Sequence, residues 1–439
     1  FARLPEAHQV SHSSSETVVC FNGCQNHLTL HAYDETHAAG VESEKQVLLA
    51  VREMLGNFIT QPFPTWAGAH HAVRKLTGAD SAIPPMPVRD AWFEWVQSQG
   101  LKVGMYIALK GVMPWNFDRE NQLSTYADDR PEWRGVHDPI EFNCPVNRPF
   151  LEWLTRILLD ELRRHQVAEF VLDESLPTPR YQLPCQAETH DHLPGDASYG
   201  YFLARRAFFR RLRREFPNLI LNGERPCQDA GIWDALYLDS LYTLSEMISG
   251  INSDQVRTWS RIRHYYHFVP PWMDEVPIKN IAKEDPEYLM LSALAVSRNY
   301  IFCDFPSGWS KASLHRIRRW LDWARDHSAW MTNSLFLPDW PGQGRCDGYL
   351  RLHGETAFAF FFNANDTRSE AALSRADHVG LNAGQSCKLS VEAVTGGAVL
   401  CGLPASWSFD EPLRFALEPH KAVLIRMDGF HATSSTPHT

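Results

Sequence analysis

Two apolar runs in this chain end in acids: Phe170-Val171-Leu172-Asp173-Glu174 and Ala235-Leu236-Tyr237-Leu238-Asp239. A buried strand that carries a carboxylate at its C-terminal end is how a β/α barrel presents a catalytic acid. Two carboxylates on separate strand ends can attack and protonate one glycosidic bond. A separation of about 5–5.5 Å gives retention, and about 6.5–9.5 Å leaves room for water and gives inversion. Like charges that close push one pKa up, so such a pair tends to divide into an acid and a base. Asp173 and Asp239 are the expected catalytic pair. The competing use of a strand-end Asp is to cap the turn or helix that follows.

Other residues compete for the site or line it. Glu174 follows Asp173 directly, and if the strand continues only one of the two faces the axis. Glu224, in Asn222-Gly223-Glu224-Arg225, also ends an apolar run, and Arg225 either binds a sugar hydroxyl or neutralises Glu224. Asp304 ends Tyr300-Ile301-Phe302-Cys303 and is a candidate substrate ligand. Trp115, Trp133, Trp233 and Trp309 fall in loops or at strand ends, where they stack on sugar faces or pack the loops. With 15 Trp and 12% aromatic residues, the chain is well supplied for either use.

Other chemistries find little support. His190-Asp191-His192 and His70-His71 do not supply the three or four convergent ligands of a zinc site, and Cys20 and Cys24 have no second Cys pair. There is no Gly-x-Ser-x-Gly elbow, P-loop or His-Glu-x-x-His, so neither metal nor cofactor is expected. A net charge of −10 without a long basic run argues against nucleic acid, and Arg205–Arg214 reads as the solvated face of a helix. No apolar run is long enough to span a membrane. Nine Cys, an odd number, argue against a fully stapled secreted domain. A start at Phe1 is expected where a leader was removed or the chain trimmed. The single sequon at Asn365 does not decide localisation, so cytoplasmic and exported settings both stay open. The expected partner is a carbohydrate, and oligomeric state is not legible.

The elements that must position these residues follow from periodicity. Helices are expected at Glu42–Leu55, Arg89–Gln99 (ended by Gly100), Phe150–Gln166, Tyr199–Phe216, Glu287–Arg298 and Leu314–Trp330. Buried strands are expected at Val18–Phe21, Asn57–Phe63, Val103–Leu109, Glu169–Asp173, Leu219–Asn222, Ala235–Leu238 and Tyr300–Asp304. Helix alternating with buried strand, with long loops at 110–147 and 174–198, predicts α/β architecture and a (β/α)8 TIM-type barrel. Pro338–Gly344 reads as a linker. Beyond it, short runs at Gly348–Leu352, Ala357–Asn363, Cys387–Val394, Leu413–Leu417 and Ala422–Met427 predict an antiparallel β-sandwich. The expected organisation is a catalytic barrel over 1–337, a β-sandwich over 345–430 and a disordered tail over 431–439.

Several short motifs resemble one family. Gly100-Leu101-Lys102-Val103-Gly104-Met105-Tyr106 is similar to the third strand of the melibiase-type α-galactosidases, glycoside hydrolase clan D. Arg130-Pro131-Glu132-Trp133 resembles the loop after it. Phe142-Asn143-Cys144-Pro145 through Asp173 resembles the segment that leads to their nucleophile on strand four, and Asn222 through Asp239 the one that ends in their acid/base on strand six. The resemblance covers roughly residues 85–430. It implies a cofactor-free retaining mechanism with a covalent glycosyl intermediate, Asp173 as nucleophile and Asp239 as acid/base. The chain departs from the family where Val171 replaces a substrate-binding Lys and Ser240 replaces a second acid. An early Asp-Asp-Gly-Trp is also missing from residues 1–85. A different α-glycoside, of an amino or acidic sugar, therefore stays open. So do a barrel glycosidase using Glu174 or Glu224 and a catalytically inactive glycan-binding barrel.

Overall fold

The structure is a computed structural model. It describes residues 18–21, 38–60, 87–108, 134–137, 140–143, 146, 148–173, 188, 192–194, 198–224, 237–242, 252–267, 273–278, 283–302, 310–332, 334–374, 384–397, 400 and 402–429. Two compact units divide between Glu246 and Met247.

In the first unit, strands alternate with amphipathic helices. The strands are β1 (Val18–Phe21), β2 (Ile59–Thr60), β3 (Lys102–Ala108), β4 (Arg134–His137), β5 (Ile140–Asn143), β6 (Glu169–Asp173), β7 (Ile220–Glu224) and β8 (Ser240–Tyr242). The helices are α1 (Ala38–Leu55), α2 (Pro87–Ser98), α3 (Arg148–His165) and α4 (Ser198–Glu215). Six strands form one parallel sheet in the order β1-β2-β3-β6-β7-β8, while β4 and β5 form a separate antiparallel hairpin. Glu169, Phe170, Val171 and Leu221 are all buried, as expected of a parallel sheet covered on both faces. Helices end where the chain can turn left-handed. Gly100 after α2 has φ 73° and Gln166 after α3 has φ 49°, and each turn feeds the strand that follows.

Strand β8 differs from expectation. Of the apolar run Ala235–Leu238 only Tyr237 and Leu238 are described, and both precede the strand: Leu238 is buried, and the Tyr237 ring stacks 5.9 Å from Phe209 of α4. The Tyr237 ring thus packs on a helix, and the strand begins only at Ser240.

The second unit opens with α5 (Ser253–His267), β9 (Asp274–Ile278), α6 (Pro286–Val296), β10 (Asn299–Phe302) and α7 (Lys311–Asp326). Strands β9 and β10 pair in parallel. Then come β11 (Ser334–Phe336), β12 (Asp347–His353), β13 (Thr356–Phe362), β14 (Ser369–Leu373), β15 (Ser386–Val394), β16 (Ser406–Ser408), β17 (Leu413–Leu417) and β18 (Ala422–Asp428). They build a six-stranded antiparallel sheet, β11-β12-β13-β18-β15-β16, and a two-stranded one, β14-β17. The expected linker Pro338–Gly344 is the connection of the β11–β12 hairpin inside this sheet, where Leu335 pairs with Leu350. Residues 431–439 lie outside the described residues.

Both faces of the β12–β13–β18 core are covered. On one face Leu350, Phe361 and Ile425 share a core with Leu373, Leu413 and Phe415 of the two-stranded sheet, each such side chain contributing about 1.5–3 kcal/mol on burial. On the other face arginines bind α5 and α6 to β12. Arg261 donates to Leu337 O (2.6 Å), Gly348 O (2.9 Å) and the Tyr349 hydroxyl (3.0 Å). Arg351 donates to Leu294 O (2.7 Å), Ser297 O (2.8 Å) and Met331 O (2.8 Å), carbonyls at or near helix ends. Burial pulls the Arg351 guanidinium down to about 10, still charged at neutral pH. Gly348 is required here, because a Cβ would lie 2.5 Å from Leu337 Cδ1.

Candidate functional site

The C-terminal edge of the parallel sheet is where a β/α fold presents chemistry. Asp173 is the last residue of β6 and lies opposite Ala108, the last of β3. Glu224 is the last residue of β7 and lies opposite Tyr242, the last of β8. Leu172 pairs with Gly223, so the register carries Asp173 and Glu224 to the ends of neighbouring strands. Parallel strands run about 4.8 Å apart, so these two backbones are nearest neighbours along the edge.

Asp239 is elsewhere. It precedes β8, its N–H donates to Leu221 O (2.8 Å), and its Oδ2 accepts from Leu221 N (2.8 Å) and from Arg213 Nη2. Arg213, in the last turn of α4, also donates to Tyr237 O (2.7 Å) and Leu219 O (2.7 Å). Asp239 therefore sits at the N-terminal side of the sheet, three residues or about 10 Å below Tyr242. The expectation that it is the acid/base at a strand's C-terminal end is corrected: its carboxylate locks the α4–β7 turn to the start of β8. Ser240, at the family's second-acid position in the resemblance, is buried on the same side.

Below the edge the sheet holds buried polar groups that sequence reasoning passed over. Glu169, at the start of β6, is fully buried and accepts from Asn222 Nδ2 of β7 at 3.1 Å. Val171 stands between Glu169 and Asp173 on the same strand and is buried.

Trp115, Trp133, Glu174, Arg225, Trp233, Asp304 and Trp309 lie outside the described residues, as do His70, His71 and His190. Among the described residues no group of three or more His, Cys, Asp and Glu could hold a metal ion, and no helix is long and apolar enough to cross a membrane.

No protein-family model matches the chain, and no curated protein does. Solved structures do match. The chain is similar to a GH36 α-galactosidase, AgaA of Geobacillus stearothermophilus, with a TM-score of 0.64 and 12% identity, covering 95% of this chain and 56% of that one. It is also similar to the galactosidase domain of an α-galactosidase–sucrose kinase, AgaSK, with a TM-score of 0.63 and 12% identity over 96% of this chain and 57% of that one. A Geobacillus thermoleovorans α-amylase crystallised with acarbose matches with a TM-score of 0.57 and 9% identity over 94% of this chain and 98% of that one. This chain thus spans little more than half the length of the galactosidase chains. The likeness is one of fold.

Proposed function

We propose that this chain is a glycoside hydrolase that removes an α-linked sugar by a retaining mechanism, with Asp173 as the nucleophile. The observation that carries the reading is the place of Asp173, at the C-terminal end of a central parallel strand beside the end of β7. The structural neighbours support it: GH36 α-galactosidases of the same fold were crystallised with stachyose and with raffinose. Parallel strands alternating with helices among the described residues support a (β/α)8 barrel. That barrel and a β-sandwich formed by the later antiparallel sheets belong to the same proposal.

The acid/base is sought among carboxylates that end the parallel strands. Glu224 ends β7, and neighbouring strand ends suit the roughly 5–5.5 Å carboxyl separation of a retaining pair. Glu246 is the first carboxylate in the chain after β8, the sixth parallel strand. In the reaction Asp173 attacks the anomeric carbon while the acid protonates the leaving oxygen. Water, activated by the same group as base, then releases the sugar. Of the groups that read galactose in the resembling family, the Lys position is Val171, so a sugar other than galactose remains within the proposal. The full-length match to an α-amylase favours α-glucosides as the second substrate class.

The test is hydrolysis of aryl α-galactosides, α-glucosides and α-N-acetylgalactosaminides by wild type and Asp173→Ala, with and without azide. Activity on one of them that Asp173→Ala abolishes and azide restores, as a glycosyl azide, supports the reading. Wild-type turnover that survives Asp173→Ala sinks the nucleophile assignment, and no turnover of any α-glycoside favours a glycan-binding barrel.

A further inference from the structure

Away from the strand ends, α3 and α4 leave a groove of about 450 Å³ along their exposed faces. Its floor is apolar, formed by Val146, Leu151, Ala204, Ala207 and Phe208. That volume is within the usual range of ligand sites. Along α4 the groove runs from Gly200 to Arg211, about 16 Å or three helical turns. Gly200 sets one end: a Cβ there would lie 2.7 Å from Val146 Cγ1, so only glycine lets the first turn of α4 approach Val146 this closely. Leu203, 42% exposed, stands on the rim.

The rim is basic although the chain as a whole carries −10. Arg148 and Arg211 line the groove, and Arg156, Arg210 and Arg214 are exposed on the same helices at i, i+4 or i, i+3 spacings from its lining residues. Glu152 answers Arg148 at 2.8 Å, and Glu215 answers Arg211 at 3.1 Å and Arg163. Arg156, Arg210 and Arg214 have no ion pair with a described residue, which leaves a local excess of positive charge beside an apolar floor.

We infer that this groove docks an acidic amphipathic helix of about three turns from a protein partner. Its apolar face would lie on Ala204, Ala207 and Phe208, and its carboxylates would meet Arg156, Arg210 and Arg214. Helix-in-groove recognition reads apolar anchors at i, i+3, i+4 and i+7, and the charge complement sets orientation and encounter rate. The inference is independent of the proposed hydrolase activity.

The probe is a labelled peptide of about 18 residues, long enough to form a helix, with Leu at i, i+3, i+4 and i+7 and Glu on the other face. A twin peptide carries Lys for Glu. Fluorescence anisotropy with the full chain should show binding of the Glu peptide only, weakening about tenfold as salt rises from about 50 to about 300 mM. Arg210→Glu/Arg214→Glu should weaken it by about tenfold or more. Ala207→Trp, which fills the floor, should weaken it similarly at an unchanged melting temperature, and Leu203→Glu replaces that variant if it does not fold. Equal binding of both peptides, no binding of the Glu peptide, or undiminished affinity in the variants overturns the inference. Tighter binding to phosphatidylglycerol vesicles than to the peptide overturns the choice of a protein helix as the occupant.

Discussion

Arg257 Nε of α5 lies 2.8 Å from Asp347 Oδ2 at the start of β12, and neither side chain reaches solvent. Arg257 also donates to Ser292 Oγ (2.7 Å) and Asp254 Oδ1 (2.7 Å) and lies 4.0 Å from the centre of the Phe362 ring. Burial alone would pull the guanidinium down, but Asp347, Tyr288 and Asp254 outweigh it and hold it above its ordinary value. The pair fixes which face of α5 meets the six-stranded sheet. Removing one partner strands a buried charge, so Asp347→Ala is expected to cost about 3–5 kcal/mol in urea unfolding. The double variant Arg257→Met/Asp347→Leu should recover a large part of that loss. Equal losses in single and double variants would show that the charge itself is not what is destabilising.

Asp239 has a structural role in this fold. Asp239→Ala is expected to lower stability by about 1–3 kcal/mol, because Arg213 and Leu221 N lose their acceptor. On the proposed hydrolase reading, it should leave kcat/KM of the folded protein within about threefold of wild type. A collapse of kcat in a variant with wild-type melting behaviour would return Asp239 to the chemistry.

Glu224→Gln separates the two acid/base candidates. If Glu224 protonates the leaving oxygen, poor leaving groups should lose about 10²–10⁴ in rate, while activated dinitrophenyl glycosides lose little. A uniform small loss across leaving groups would pass the role to Glu246.

Glu284 gives a pH signature. Burial pushes its carboxyl above the usual 4.5, against the pull of Ser253, which donates through its hydroxyl (2.5 Å) and its N–H (3.3 Å). Asp254 also raises it and Arg257 lowers it. A folded-state pKa above the unfolded one means that the contribution to stability is complete below the unfolded value and lost as pH rises through the folded one. Glu284→Gln should therefore gain stability relative to wild type as pH rises from about 4 to 7, with the difference vanishing at the acid end. Parallel stability–pH curves for the two proteins would contradict this.

Periodicity in the sequence was enough to place most elements. Glu169–Asp173 and Leu413–Leu417 are the strands expected, residue for residue, because each is a short apolar run between clear breaks. Strand β9 was missed because Asp274-Glu275-Val276-Pro277-Ile278 has two acids and a proline, yet all five residues are buried. Helix α5 was missed because its buried face carries Arg257 and Arg261, which interrupt an apolar stripe. A capping signal was nevertheless present: Asn252 Oδ1 accepts from Gln255 N (2.9 Å) while Gln255 Oε1 accepts from Asn252 N (3.0 Å).

By itself, the sequence determined the alternation of helix and buried strand and the acid that ends β6, since period and local breaks are properties of neighbouring residues. Only the tertiary structure decided which end of a strand an acid occupies and what it meets there. Asp173 and Asp239 look alike in the chain, each an acid after an apolar run. The β7–β8 register and Arg213, 26 residues away, place the second at the opposite side of the sheet. That difference depends on partners distant in sequence, which no local pattern encodes.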